Sequence, residues 1–255
     1  MPRVTRDPDR TVNPMLLAIF AHPDDESFAA AGTLARYHRE GHRTALVTVT
    51  DGEAGKVTNV RADDRRDVAE LRRRELLAAA GVLGVDQVFT LGHPDGGLDA
   101  WPGDALVSEL AALVRRIRPE VILTFGPEGG PNTHADHRAV CRAATAAFHL
   151  AGNGTVLEGL GAPWAPGRLY YLTWPGRSGP NGGVEGLPET CRVDIGAEIA
   201  VKRAAFAEHR SQQHHLPHFE EELRGEESWF LAAGTPQPEP VTADLLAGLS
   251  RARAG

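Results

Sequence analysis

Two short stretches crowd together side chains that bind metals and move protons: Ala21-His22-Pro23-Asp24-Asp25-Glu26 and His134-Ala135-Asp136-His137. Imidazole nitrogen and carboxylate oxygen are ligand types of zinc, at about 2.0–2.2 Å, and a catalytic zinc site keeps one position open for water. His22 and Asp25 lie on one tight turn, so both reach a single ion, and His137 supplies the third bond from the far stretch. Asp24 adjoins the ligand Asp25 and is the candidate general base. His134 is placed to polarise a carbonyl or protonate a leaving amine, with Asp136 to orient its ring. These parts describe metal-assisted hydrolysis of an amide. Zinc is the expected ion, and Fe2+ can replace it among nitrogen and oxygen ligands.

Each stretch also has a simpler explanation. Acids at 24–26 stabilise a helix N-terminus, and His134 and His137 alone would be surface histidines. Neither explanation covers His22-Pro23, nor two ligand-bearing clusters that each follow a strand-like run. The rival of a different class is a non-catalytic Rossmann module that binds a nucleotide or sugar. Dinucleotide binding needs a glycine-rich first turn for the pyrophosphate; here that turn carries three carboxyl groups.

The elements that must bring the clusters together alternate along the chain. Residues 15–20 are continuously apolar, as in a strand covered on both faces, and the first cluster follows at once. A helix is expected over 27–39, stopped by Gly41, then a β-branched strand over 43–50. A helix over 68–83 ends at Gly84, and a strand over 87–91 runs into Gly92-His93-Pro94-Asp95. An amphipathic helix over 104–118 closes at Pro119, a strand covers 121–125, and a helix over 136–150 begins inside the second cluster. Beyond it come a fifth strand (168–174), a long surface loop (175–190), a short strand (192–195), a helix (196–210) and one or two helical pieces in the tail. Strands alternating with helices imply right-handed crossovers. The expected fold is α/β: a Rossmann-like, mostly parallel sheet with helices on both faces. It forms one domain over 14–255 behind a flexible tail, 1–13. In such sheets ligands bind beyond the carboxyl ends of the strands.

Composition narrows the function. A net charge of −7 over 255 residues speaks against a nucleic-acid partner; the Arg-rich stretch 61–74 is interleaved with acids and reads as a solvated helix face. No apolar run approaches the ~20 residues that span a bilayer, so neither a membrane anchor nor a membrane partner is expected and a cytoplasmic location follows by default. Two distant cysteines, Cys141 and Cys191, make neither a disulfide framework nor a zinc site. Monomer and homo-oligomer both stay open. His214, His215 and His218 read as structural or surface residues before a second metal site, and Trp101 and Trp174 as packing before a sugar platform.

Residues 21–26 and 134–137 together resemble the two signatures of the zinc-dependent N-acetylglucosaminyl deacetylases related to the phosphatidylinositol-glycan and LmbE-like proteins. Weaker matches follow in order: Thr50-Asp51-Gly52-Glu53-Ala54-Gly55, Arg72-Arg73-Arg74-Glu75, Pro94-Asp95-Gly96, and Lys202, His209 and Ser211-Gln212. The resemblance covers about 15–215 and implies a Rossmann-like fold and removal of acetyl from a small-molecule amino sugar. It implies His22, Asp25 and His137 as metal ligands, Asp24 as base and His134, beside Asp136, as oxyanion stabiliser or acid. It implies Arg72 and Asp95 as holders of sugar hydroxyls. Mycothiol-type members carry Tyr two residues before the second signature; Asn132 stands there here. That departure leans toward bacillithiol-type members, which act on N-acetylglucosaminyl malate, with cleavage of bacillithiol S-conjugates as the alternative.

Overall fold

Leu16–Phe20 (β2) is buried at every position, as its unbroken apolarity requires of the strand at the middle of a sheet covered on both faces. The computed structural model describes residues 4–5, 16–59, 64–100, 103–175 and 184–249. Thr44–Thr50 (β3) pairs parallel with one side of β2, and Val121–Thr124 (β5) with the other. Gln87–His93 (β4) extends the sheet beyond β3, and Arg168–Thr173 (β6) beyond β5, both in parallel. The strand order therefore reverses between β2 and β5. That switch point opens a crevice at the strands' carboxyl ends, where both sequence clusters begin.

The helices are Asp25–Ala29 (α1), Ala31–Arg39 (α2), Arg65–Leu83 (α3), Gly103–Ile117 (α4), Ala135–Ala151 (α5), Ile199–Glu208 (α6) and Leu216–Glu222 (α7). α4 packs with α5, and α2 and α3 pack with α6, so crossovers on either side of the switch point cover opposite faces. None of the described helices is long and apolar enough to cross a membrane. Asp64 caps α3 by accepting from the Asp67 N–H at 3.0 Å, and Gly84 ends it in the left-handed conformation.

One tail contact is seen, and two expectations are corrected. Of the tail at 1–13, only Val4–Thr5 (β1) lies in the described residues; it is a strand, pairing antiparallel with β4. The single helix expected over 27–39 breaks at Ala30. The tail, expected to be helical, also contains a strand, Glu226–Gly234 (β8), which pairs antiparallel with β6 and with Cys191–Asp194 (β7). One residue accounts for the last two departures. Glu227 of β8 occupies a buried position, and its carboxylate accepts from the Gly32 and Thr33 N–H groups at 3.0 and 2.7 Å. Lys202 Nζ donates to it at 2.6 Å. The carboxylate thus takes the free N–H groups of a second helix start, and it interrupts the apolar alternation by which a strand is read.

The C-terminal segment is clamped by Arg168, fully buried in β6. Its guanidinium donates to the carbonyls of Thr235, Pro236 and Leu245 at 2.9 Å and of Ala247 at 2.7 Å. Arg168→Met leaves these acceptors short of donors, at about 1–3 kcal/mol for each that stays buried. We expect a loss of about 3 kcal/mol or more, read from the urea midpoint. A midpoint within experimental error of wild type would refute the clamp.

Candidate metal and hydrolytic centre

The turn after β2 is tight and strained. Asp25 Oδ2 accepts from the His22 backbone N–H at 2.7 Å, and Asp24 carries φ 110°. A non-glycine residue there costs about 1–3 kcal/mol. Arg72 of α3 lies beneath it, donating from Nη1 to Gly52 O at 2.7 Å and from Nη2 to Asp24 Oδ1 at 3.2 Å. Gly52, at φ 68°, leaves that space: a Cβ would stand 2.2 Å from Nη1.

The second cluster arrives from the N-terminal turn of α5, across the crevice. His22 Nδ1 and His137 Nε2 stand 3.3 Å apart. Asp25 reaches both, Oδ2 at 3.3 Å from His22 Nδ1 and Oδ1 at 3.2 Å from His137 Nε2. Ligands about 2.0–2.2 Å from one tetrahedral ion stand about 3.3–3.6 Å apart, so the three side chains have the spacing of a shared ion. The far nitrogens face hydrogen-bond acceptors. His137 Nδ1 lies 3.0 Å from Gly129 O, and His22 Nε2 lies 3.1 Å from Asp95 Oδ1 and 3.3 Å from Asp136 Oδ2. With protons on those far sides, both lone pairs point at the common position. Gly129, at φ 86°, permits the loop; a Cβ would stand 2.6 Å from His134 O. His134 and His137 also form a three-histidine group with His22 whose ligand atoms lie within 4.8 Å of one another.

Electrostatics separate the neighbouring carboxyls. Burial pushes Asp24 up to about 6, with the Arg72 guanidinium opposing and the Asp25 charge adding. Burial would raise Asp25 too, but His137 and His22 override it and hold Asp25 well below the usual carboxylate range. Burial, with the nearby His22 and His137, lowers His134. His134 caps α5: its Nδ1 accepts from the Asp136 N–H at 3.2 Å, which leaves the ring proton on Nε2.

The structure gives three of the expected site residues further contacts. The Asp136 carboxylate turns away from His134 and toward His22, accepting also from the Gly96 and Leu98 N–H groups at 2.7 and 3.1 Å; only its backbone N–H steadies His134. Arg72 is 4% exposed and lies in the cavity wall; its Nη atoms donate to backbone and Asp24 and so brace the turn, while its Nε has no partner among the described residues. Asp95 also faces His22, while its Oδ2 accepts from the Ala54 N–H at 2.8 Å. Several carboxylates thus serve one imidazole or its neighbours, a convergence that residue spacing does not encode.

A cavity of about 790 Å3 opens over the cluster, with His22, Asp24, Asp25, Asp95, His134 and His137 in its wall. It continues toward the β7 edge of the sheet, where Phe28, Trp174, Glu189, Arg192, His215 and His218 line it. His218 stacks on Phe28 at 6.1 Å between centroids. His214, His215 and His218 form no three-ligand group among the described residues. Trp174 joins the cavity wall, whereas Trp101 lies outside the described residues, as does 176–183 of the expected long loop. His209 does not reach the cavity; it is fully buried behind it.

Known proteins resemble the chain in sequence and in fold. A 1D-myo-inositol 2-acetamido-2-deoxy-alpha-D-glucopyranoside deacetylase of Nocardioides sp. is 35% identical over 191 residues, covering 63% of this chain and 62% of the relative. The chain thus aligns with less than two thirds of that relative's length. A deacetylase of the same name from Thermobispora bispora is 32% identical over 88% of this chain and 89% of its own. A conserved protein of Thermus thermophilus superposes with a TM-score of 0.70 at 30% identity, over 87% of this chain and 95% of its own. The model of one family matches residues 17–148, a span that holds all of β2 but Leu16, both clusters and the crevice between them. With that span and those relatives, the chain belongs to the PIG-L family, described as GlcNAc-PI de-N-acetylase.

Proposed function

We propose that this chain is a zinc-dependent amide hydrolase that removes acetate from the 2-acetamido group of a glucosaminyl small molecule. The observation that carries the reading is the approach of His22 Nδ1 to His137 Nε2 at 3.3 Å, with one Asp25 oxygen 3.3 Å from the first and the other 3.2 Å from the second, and with Asp24 beside them. A divalent ion held there supplies Lewis acidity to an oxygen facing the cavity. Asp24 takes the proton of the attacking water; Arg72 and the strained turn fix where its carboxyl points. His134 Nε2–H donates to the carbonyl oxygen as negative charge develops on it. A proton passes to the departing nitrogen, and water plus amide become acetate and free amine.

The aglycone is the finer question. Relatives named for an inositol glycoside favour a cyclitol; Asn132, in the cavity wall, favours the malate of the bacillithiol type. We take the cyclitol as the first reading, because several relatives bear that one name. The test is primary-amine release by the zinc-loaded protein from the inositol glycoside, N-acetylglucosaminyl malate and a bacillithiol S-conjugate. The inositol glycoside should lead in kcat/KM by about tenfold or more, the net worth of one hydrogen bond. A lead by malate reverses the choice of aglycone, cleavage of the conjugate alone makes the protein an amidase of that class, and release from none overturns the hydrolase.

A further inference from the structure

We infer that Glu26 and His209 form a positioning couple that holds the Asp24 turn in its working conformation, an inference that rests on Asp24 being the base. Glu26 is fully buried one residue past the ligand Asp25 and points away from the cavity. One carboxylate oxygen, Oε2, accepts from the Asp24 backbone N–H at 3.0 Å. The other, Oε1, accepts from Ser27 Oγ at 2.6 Å and meets His209 Nε2 at 2.7 Å. The carboxylate therefore bonds the main chain of the residue whose φ is 110°.

Such a turn persists only where its surroundings over-determine it. Arg72 braces the Asp24 side chain from below, and Glu26 braces its N–H. His209 in turn fixes Glu26 from 183 positions along the chain, just past the end of α6. The contact carries a cost: His209 is fully buried, and its Nδ1 has no hydrogen-bond partner among the described residues. A leucine would fill much of this space without an orphaned nitrogen. A costly polar pair behind a strained turn is what a positioning role leaves in a structure.

His209→Leu and His209→Gln test the couple. Gln retains an N–H that can reach Glu26; Leu does not. In the leucine variant kcat should fall about 10- to 100-fold, the scale of a small misplacement of a reacting group. KM should stay within about twofold and bound zinc at wild-type stoichiometry, and the glutamine variant should recover most of kcat. Hydrogen exchange gives a readout independent of turnover: in the metal-free leucine variant the Asp24 amide should exchange about tenfold faster or more. Glu26→Leu, which offers the Asp24 N–H no acceptor, repeats the test if the His209→Leu variant does not fold, with the same loss of kcat at unchanged zinc content. Wild-type exchange at Asp24 in these variants overturns the couple, as does a leucine variant with wild-type kcat. So does failure of glutamine to restore what leucine loses, which a packing role would give. If the wild-type protein turns over no amide, the proposed hydrolysis fails while the exchange data still judge the couple.

Discussion

Asp24→Asn will keep its metal and lose about 10^2- to 10^4-fold in kcat, the range that a positioned general base contributes. Asparagine preserves the volume and tolerates positive φ better than most residues, so the turn survives. The Arg72 contact at 3.2 Å survives through the amide oxygen. What disappears is the ability to take a proton. Burial has brought that carboxyl to about 6, against the pull of Arg72, which suits a base working near neutrality. Initial rates and zinc content on the same preparation check this. A variant within about tenfold of wild-type kcat would remove Asp24 from the role, since no general base is worth so little.

His137→Ala should strip the metal. His137 Nε2 is one corner of the three-ligand triangle and the only corner supplied by α5. Losing one of three protein ligands should weaken zinc by about 10^2- to 10^3-fold, a quarter or so of a structural-site binding free energy. Removing the ring also empties the space against Phe125, on which it stacks at 3.8 Å between centroids, so some stability is lost as well. Zinc content after dialysis separates the two effects: a folded variant that holds a full equivalent would rule out the ligand set. Asp24→Asn and His137→Ala should thus fail differently, one with the ion and one without it.

Much of this arrangement was legible in the chain. The apolar run 15–20, the β-branched run 43–50 and the strand at 121–125 are short and bounded by turn residues, and each became a parallel strand. The clusters at 21–26 and 134–137 combined ligand-type chemistry with strand-end position, and the crevice brought His137 Nε2 to 3.3 Å from His22 Nδ1 and 3.2 Å from Asp25 Oδ1. What escaped depended on long-range partners. Nothing local to Ala30 announces a helix break, because the cause is Glu227 on a distant strand. Nothing local to Asp136 says that its carboxylate faces His22 rather than its neighbour His134. Nothing local to Arg72 says that its guanidinium also lies under the Asp24 turn; that contact appears only once α3 is packed.

The cavity has two provenances. Its reactive end is written in the span 17–148, whereas Trp174, Glu189, Arg192, His215 and His218 at the other end come from chain beyond that span. Substitutions in the later segment can therefore reshape most of the acceptor end without touching the reactive one, Phe28 being the residue of the earlier span that reaches it. The two ends are nonetheless tied together: Glu227, His209 and Ser211 of the later chain bond Gly32, Glu26 and Glu75 of the earlier one, so a change of customer must leave those anchors in place.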